Sequence, residues 1–283
     1  MAVVLSPITD SDLPRVAQFF ERSMESRVED WGAVLTAPWP DDWPNRGYML
    51  LDGDRIVGAY VAYYSTQEVG GREQRVCNLG SWCVEPGHRM QSLRLLKALL
   101  GQEGLAFTDL TPSESVVRIN RRLGFETLDT DAWVVPYAPL PLGGRRASVV
   151  EDPAHIRALL TGAELAAYED HAAAPGALHA AIERDGHACW LVCRRDRMKG
   201  LPVLRVLHVG DRGLFRETAV GLSGRLLRRH RCVALVVEDR LAGFRPRLSL
   251  RLRSRQPRMF RGEQLSPEDV RYLYTELVRL PPE

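Results

Sequence analysis

The chain has 283 residues and a formal net charge of +2, with 45% apolar and 26% charged side chains. At this length a single core usually divides into two, and the composition excludes disordered, fibrous and strongly basic nucleic-acid-binding classes. No apolar run is long enough to span a bilayer, and the N-terminal residues show no secretion signal. We therefore expect a cytoplasmic protein without membrane contact.

In chain order, the first half predicts helix, hairpin, strand, helix, strand, helix and strand. Thr9 begins the first helix, which has a periodic apolar face. Two β-rich runs around Asp52 and Gly53 predict the hairpin, and RVCNLGSWCV predicts the next strand. A leucine-rich helix begins at Ser92, LAFTDL follows as a strand, and Gly124 ends another helix. The run ETLDTDAWVVPY is predicted to be the last strand.

The segment PYAPLPLGGRR is rich in proline and glycine and predicts a domain boundary. We therefore expect two domains, at 1–138 and 146–283. The second half predicts three short helices, among them ALHAAIER, and then the same hairpin, helix and strand order as the first half. A closing helix is expected after Ser266. The predicted fold class is α/β (α+β), with two mixed, mostly antiparallel sheets that carry helices on their faces.

The five cysteines agree with a reducing compartment. Their number is odd and most lie in apolar, strand-like runs, which is typical of buried thiols. Cys189 and Cys193 share one face of a predicted strand, but no second pair of cysteines or histidines follows them. The sequence therefore predicts no metal site.

The arginine-rich segment from Arg225 to Arg261 contains twelve arginines. In RLSLRLRSR they recur at about every second residue, which predicts one cationic strand face. Such a face is either a solvated surface or a surface for an acidic substrate, nucleic acid or a partner domain. Few aromatic residues lie between the arginines, which argues against single-stranded nucleic acid as the main partner.

A candidate anion site lies where the strand ending in Val84 turns into the helix from Ser92. The first N–H groups of a helix have no partner within the helix, and the macrodipole favours negative charge there. Arg89 and Arg94 add cationic groups near that end. The alternative is an ordinary strand, turn and helix with solvated arginines, because the glycines of a typical phosphate loop are missing.

Two motifs in the first 137 residues resemble the GNAT (N-acetyltransferase) superfamily. VEPGHRMQSLR, at 84–94, is similar to its V-x-P-x-x-R/Q-x-x-G-x-G/A pyrophosphate loop, and VRINRRLGF, at 117–125, to its helix ending in L-Y-x-x-x-G-F. The two occur in order, each after a strand, and the element order of the first half agrees. The second half carries neither motif, and by element order alone it looks like a degenerate second unit that has lost cofactor binding.

The resemblance implies an acyltransferase, of N-acetyltransferase type, that uses acetyl-CoA or another acyl-CoA as co-substrate. The acyl group would pass directly to an amine or hydroxyl of a small-molecule or peptide acceptor. The chain could also pair with a second copy as a homodimer. The strand before the loop would hold the pantetheine arm, and the loop and helix start would hold the pyrophosphate. The implied pantetheine residues are Trp82, Cys83 and Val84, and the implied pyrophosphate residues are Arg89, Met90, Gln91, Ser92, Leu93, Arg94 and Leu95.

The sequence departs from the family at four functional positions. Ser92 and Arg94 replace the two loop glycines, although a hydroxyl or a guanidinium can also contact phosphate. The family's basic glutamate falls on Asn78 and its proton-donating tyrosine on Asn120. An amide exchanges no proton in either role. The implied catalytic positions Asn78 and Asn120 could still orient water or polarise the thioester, and a purely structural role for Asn120 is equally open.

These departures leave both the proton carrier and the function open. Glu73, His88 and Ser113 are alternative proton carriers, and the sequence does not choose among them. A non-catalytic acyl-CoA-binding or scaffold protein would also explain the two asparagines. A Fem-like transferase that takes its acyl group from a charged tRNA would explain the tandem arrangement and the arginines.

Overall fold

The computed structural model describes residues 2–25, 28–39, 42–137, 147–254 and 257–280, and the predicted linker at 138–146 lies outside them. The elements as far as residue 128 are β1 (Val4–Pro7), α1 (Leu13–Ser23), α2 (Trp31–Leu35), β2 (Gly47–Asp52), β3 (Arg55–Val69), β4 (Arg72–Val84), α3 (Ser92–Leu100), β5 (Leu105–Asp109), α4 (Glu114–Arg122) and β6 (Glu126–Leu128). The remaining elements are β7 (Ala132–Pro136), β8 (Ser148–Val150), α5 (Pro153–Leu159), α6 (Gly162–His171), β9 (Leu178–Arg184), β10 (His187–Met198), β11 (Leu201–Val209), α7 (Arg212–Arg229), β12 (Ala234–Glu238), α8 (Asp239–Ala242), β13 (Leu250–Leu252) and β14 (Arg258–Arg261).

The chain forms two compact units, each with its own sheet. Unit 1 comprises Met1–Leu128 and Pro257–Pro281, and unit 2 comprises Asp129–Gln256 and Pro282–Glu283. This division differs from the predicted ranges 1–138 and 146–283, because the chain leaves unit 1 before the proline-rich segment and returns to it near the end. Strand pairing is the reason: β7 pairs with β12 and β13, whereas β14 pairs with β5 and β6.

The sheet of unit 1 has the strand order β1-β2-β3-β4-β5-β14-β6. Its pairs are antiparallel except β4 with β5, which are parallel and are joined through α3. Parallel neighbours need such a crossover connection. Leucines at positions 95, 96 and 99 on one side of α3 are at most 1% exposed and pack into the sheet core with Cys77, Leu79 and Phe107. The crossover helix therefore anchors the start of the candidate anion site.

The sheet of unit 2 has the same topology with different strands. Its order is β8-β9-β10-β11-β12-β7-β13, again antiparallel except for one parallel pair, β11 with β12, which is joined through α7. The two units thus match strand for strand, with β7 and β14 in equivalent places. This confirms the predicted class of two mixed, mostly antiparallel sheets.

Two of the predicted helices are wrong. ALHAAIER is strand β9, because Asp185 and Gly186 have φ of 51° and 79°, the backbone of a two-residue hairpin turn into β10. The Asp-Gly pair was the local signal for this hairpin. After Ser266 the chain forms turns, and its regular structure is a short 3₁₀ helix, Glu276–Val278. Asp269 does bond the N–H and hydroxyl of Ser266, so the capping contact forms without an α-helix behind it.

The single strand predicted for ETLDTDAWVVPY is also wrong, because this stretch forms β6 and β7, which lie in different sheets. The following local predictions are confirmed. Gly53 has φ of 59° in the β2–β3 turn, and Gly124 has φ of 83° after α4, both in the left-handed region that favours glycine. Thr9 and Asp12 bond each other ahead of α1, whose apolar face is buried. None of the helices in the described part of the chain is both long and apolar enough to cross a membrane.

Candidate functional site

An opening between two strands forms the centre of the candidate site in unit 1. β4 runs parallel to β5 from the Arg75–Leu105 pair to the Leu79–Asp109 pair, and β5 ends there while β4 continues to Val84. On its other edge β4 stays paired with β3 as far as Val84. Among the described strands, none takes the place of β5 beside residues 80–84. An extended ligand could therefore pair with this free strand edge.

A β-bulge lies at the start of this free segment. Ala62 pairs with Leu79 and Tyr60 with Trp82, so β4 carries one more residue than β3 over this interval. A bulge leaves one residue out of the ladder and increases the local twist of the strand that carries it. Gly80 lies in the bulge, where an added Cβ would come within 2.8 Å of the Tyr63 ring. Glycine is therefore needed for the observed packing.

The three predicted pantetheine residues all lie on the free segment of β4. Trp82 stacks on Tyr60, with ring centroids 4.5 Å apart and planes 7° apart. The Cys83 thiol donates to the carbonyl of Ser23 at 3.6 Å, and burial raises its pKa. These three residues are partly exposed.

The predicted pyrophosphate loop is helical before α3 begins. Pro86–Gln91 form a 3₁₀ helix, and the N–H of Ser92 donates to the carbonyl of Arg89. The expectation that this first N–H of α3 is free was wrong, because the preceding turn supplies its acceptor. Within the loop, Arg89 and Met90 are exposed, Met90 at 95%. Gln91 is half-buried, as is Ser92, while Leu93 is 46% exposed and Leu95 is fully buried.

Arg94 is bonded to its own unit. Its Nη1 atom donates to the carbonyl of Val3 and to the side-chain oxygen of Gln91, each at 3.0 Å. The guanidinium thus joins α3 to the chain entering β1. Arg89 is exposed, and its charge lowers the pKa of Cys83 against the effect of burial. Of the two predicted cations, Arg89 is the one presented to solvent beside the pantetheine segment.

Asn78 connects β5 to the returning C-terminal segment. Its Nδ2 donates to the hydroxyl and the carbonyl of Thr108, at 3.0 and 3.3 Å, and its Oδ1 accepts the N–H of Glu276 at 3.0 Å. Asn78 is 1% exposed. The side chain of Glu276 is also buried, and the hydroxyl of Thr111 donates to its carboxylate. The Asn78 amide is therefore hydrogen-bonded to Glu276, a residue that has a carboxylate side chain and lies 198 positions further along the chain.

Asn120 holds a second buried carboxyl group. Its Nδ2 donates to Oδ2 of Asp109 at 2.8 Å, and both residues are at most 4% exposed. Burial raises the pKa of Asp109 to about 7, although hydrogen bonds from Asn120 and the Thr111 backbone act in the opposite direction. The Oδ1 atom of Asn120 is buried without a hydrogen-bond partner among the described residues.

Asp109 and Glu276 both act on a third group, the phenol of Tyr60. Burial raises the pKa of this fully buried tyrosine, and the charges of Asp109 and Glu276 raise it further. Two carboxyl groups and a phenol therefore influence one another near the end of the β4–β5 pairing. A carboxyl group that titrates near neutral pH is suited to proton transfer.

The three alternative proton carriers lie elsewhere in unit 1. Glu73 is exposed and pairs with Glu68 across the β3–β4 hairpin, at the far end of β4 from the opening. His88 lies 3.8 Å from the carboxylate of Asp52. The hydroxyl of Ser113 bonds that of Ser115 at an exposed helix start.

Asp109 and Glu276 are not among the site residues predicted from the sequence. Asp109 had a local signal, because it ends a strand that follows a crossover helix, and ligands of α/β sheets gather at such carboxyl ends. Glu276 had none, because nothing in its neighbourhood predicts a contact with Asn78.

The arginine-rich segment does not form one cationic face. Of the described residues of RLSLRLRSR, only Leu250–Leu252 form a regular strand, and the wider arginine-rich segment is divided between the two units. In unit 2, Arg251 bonds Asp131 at 3.1 Å and lies over the Trp133 ring, as Arg245 does. In unit 1, Arg258 is buried over the ring of Tyr272.

The corresponding opening in unit 2 has a different helix start. β11 is also bulged, because Val192 pairs with His208 and Cys193 with Val206. The helix that follows, α7, is capped by Asp211, whose Oδ1 accepts the N–H of Leu214 at 2.9 Å. A carboxylate thus occupies the helix start where unit 1 has none. Cys189 and Cys193 are buried free thiols, and the described residues include no cluster of three or more metal-binding side chains.

Comparison with solved structures identifies the fold. A GCN5-related N-acetyltransferase from Anabaena variabilis matches with a TM-score of 0.63 at 11% identity, over 92% of this chain and 72% of that one. Another, from Kribbella flavida, matches with a TM-score of 0.57 at 19% identity, over 92% of this chain and 70% of that one. Eis1 from Mycobacterium abscessus matches with a TM-score of 0.54 at 16% identity, over 92% of this chain and 73% of that one. No family model and no curated protein sequence matches the chain. The chain therefore has the fold of GCN5-related N-acetyltransferases, the GNAT fold, as the two motifs indicated.

Proposed function

We propose that unit 1, which has the GNAT fold, transfers an acyl group from acyl-CoA to an amine or hydroxyl of a small-molecule or peptide acceptor. One observation carries this proposal: β5 ends at the Leu79–Asp109 pair while β4 continues past a bulge to Val84, with one edge unpaired. The family resemblance places the acyl thioester where two neighbouring strands splay apart, and the unpaired edge of β4 is the candidate for that place. The solved neighbours support an acyltransferase, and the acyl-CoA and acceptor are our inference.

The free segment of β4 would hold the pantetheine arm. Trp82, Cys83 and Val84 offer backbone N–H and C=O groups on the edge that β5 does not cover. Backbone pairing of this kind gives affinity without depending on side-chain identity. This explains how Trp82 and Cys83 can serve although their side chains are engaged with Tyr60 and Ser23.

Arg89 would be the main cation for the pyrophosphate. It is exposed and electrostatically coupled to Cys83, whereas Arg94 is bonded to Val3 and Gln91. A charge-assisted contact with phosphate is typically worth about 1.5–3 kcal/mol. The pyrophosphate end of the ligand would therefore depend on Arg89 more than on Arg94.

In the transfer itself, the acceptor nitrogen or oxygen attacks the thioester carbonyl and the CoA thiolate leaves. The bulge at Gly80 and Ser81 leaves a backbone group out of the ladder, which can donate to the carbonyl oxygen as negative charge develops on it. Asn78 would then act as a positioning residue, because its hydrogen bonds go to Thr108 and Glu276.

Unit 2 would be a degenerate second GNAT-like unit that does not hold CoA. Its strand topology and bulge match those of unit 1, which supports a common architecture. The Asp211 carboxylate already satisfies the start of α7, and a phosphate approaching there would meet a like charge. Cofactor binding is therefore proposed for unit 1 alone.

Calorimetry with acetyl-CoA tests the binding half of this proposal. We expect one site per chain, with affinity reduced about ten- to a hundredfold by Arg89→Ala, which loses one charge-assisted contact. Arg72→Ala, an exposed arginine at the far end of β4, is the matched control and should bind as the unchanged protein does. Equal losses in both variants would indicate a nonspecific charge effect.

Release of free CoA thiol tests the catalytic half. Acetyl-CoA incubated with a panel of small primary amines and peptides should release CoA faster in the presence of the protein. Binding without release would favour an acyl-CoA-binding scaffold. Absence of acetyl-CoA binding would reject this proposal and favour a transferase that takes its acyl group from charged tRNA.

A further inference from the structure

We infer that Asp109 donates the proton to the departing CoA thiolate and that Asn120 is its positioning residue. This inference rests on the proposed acyl transfer. The resemblance assigns the proton donor to position 120, where an asparagine cannot serve. Asn120 instead bonds a group that can, the carboxyl of Asp109, at 2.8 Å.

The position of Asp109 supports this role. It is the last residue of β5 and belongs to the last β4–β5 pair, so it borders the opening proposed for the thioester. Its carboxyl is held on two sides, by the Asn120 amide and the Thr111 backbone. A proton donor must be fixed within hydrogen-bond reach of the atom that it serves, and these contacts provide that fixation.

Asn120 supplies a second, independent observation. It is fully buried on α4, and its Oδ1 has no hydrogen-bond partner among the described residues. Leaving a buried acceptor unpaired is unfavourable, so native structures keep few of them, often at functional sites. The unpaired acceptor belongs to the same amide whose Nδ2 orients Asp109, so the irregularity lies directly beside the proposed proton donor.

The proposed step conserves protons and electron pairs. The acceptor amine attacks the carbonyl carbon, a C–N bond forms, and the C–S bond breaks as its electron pair stays on sulfur. The thiolate takes the proton of the Asp109 carboxyl, which becomes a carboxylate. That carboxylate is reprotonated by the proton that the acylated nitrogen loses, directly or through water. The net products are the amide and CoA thiol.

Asp109 is poised for this exchange near neutral pH. Burial raises the pKa of Asp109 to about 7, so both protonation states are populated there. The ionisable groups that face the same site are Tyr60 on β3, Cys77 on β4 and Glu276 on the returning segment. Tyr60 and Cys77 have raised pKa values from burial and stay neutral in this range.

The first test probes the electrostatic environment of the CoA sulfur and needs no catalytic turnover. The pKa of the thiol of bound CoA is measured by thiolate absorbance in the unchanged protein and in Asp109→Asn. An ionised carboxylate near the sulfur raises that pKa, so we expect it to be about one unit lower in the variant. Identical values would place Asp109 away from the sulfur and overturn the inference, whereas failure to bind CoA would reject the proposed function as well.

The second test measures kcat at saturating acetyl-CoA, with the amine of the panel that gives the highest rate. Asp109→Asn should lose about a hundredfold or more in kcat, as general-acid loss does, while its Kd for acetyl-CoA stays within about threefold. In the pH profile of kcat, the unchanged protein should show an alkaline limb, a decrease above pH 7 as Asp109 ionises. The variant should lack this alkaline limb. Glu73→Gln, at the exposed far end of β4, is the control and should keep both kcat and the limb.

Asn120→Ala separates positioning from folding. Its hydrogen bond lowers the pKa of Asp109, so removing it should move the alkaline limb of kcat to higher pH as well as reduce kcat. A purely structural asparagine would change stability without moving the limb, and that result would overturn its assigned role. Retained kcat in Asp109→Asn would overturn the role of Asp109.

Discussion

Asp109 should make the stability of unit 1 depend on pH in a measurable way, whatever the protein binds. Its folded-state pKa is raised to about 7 from an ordinary value of 3.8. Below pH 3.8 the carboxyl is protonated in both the folded and the unfolded chain. Between the two values the unfolded chain ionises and the folded one does not. The free energy of unfolding therefore falls as the pH rises through this range, and the loss is complete above the folded pKa.

The magnitude follows from the size of the shift. One pKa unit corresponds to about 1.4 kcal/mol, so a shift of about three units amounts to about 4 kcal/mol in total. Roughly 2–3 kcal/mol of it lies between pH 5 and pH 8. That is a large share of the typical stability of a domain, about 5–15 kcal/mol.

Asp109→Asn removes this pH dependence and keeps the shape and the acceptor for the Asn120 amide. Urea unfolding followed by circular dichroism at pH 5, 6, 7 and 8 gives the free energy of unfolding of each protein. The unchanged protein should lose roughly 2–3 kcal/mol relative to the variant across this range. Asp54→Asn, in the β2–β3 turn, removes an exposed carboxylate and controls for the change in net charge. Parallel curves for Asp109→Asn and the unchanged protein would refute the reasoning.

Four further substitutions test the contacts that shape the two units. Asn78→Ala leaves Thr108 and the N–H of Glu276 without their buried partner and should lower the free energy of unfolding by about 2–4 kcal/mol in urea titrations. Leu99→Ala empties a fully buried position under α3 and should cost about 2–5 kcal/mol by the same method. Arg94→Ala should lower the free energy of unfolding by about 1–3 kcal/mol and lower the melting temperature, while the affinity for CoA should change little. Asp211→Ala removes the cap of α7 and should cost about 1 kcal/mol, with unchanged acetyl-CoA binding in calorimetry.

Local sequence patterns determined the elements that depend on neighbouring residues. The turn at Gly53, the end of α4 at Gly124 and the start of α3 at Ser92 all follow from backbone preferences and apolar periodicity within a few positions. The two motifs led to the fold for the same reason, since each is a short stretch on one strand, loop or helix. The free segment at Trp82, Cys83 and Val84 could be located from the sequence because it continues a single strand.

Only the tertiary structure decided which distant segments meet. β7 and β14 pair with strands that are far away along the chain. No local signal distinguishes a strand that pairs within the unit of its sequence neighbours from one that pairs in the other unit. The same holds for Glu276, which reaches Asn78 from 198 positions away, and for Asn120, whose role depends on its contact with Asp109. Hydrogen bonding to distant partners, and the desolvation that raises the pKa of Asp109, are properties of packing and arise only once the sheet has formed.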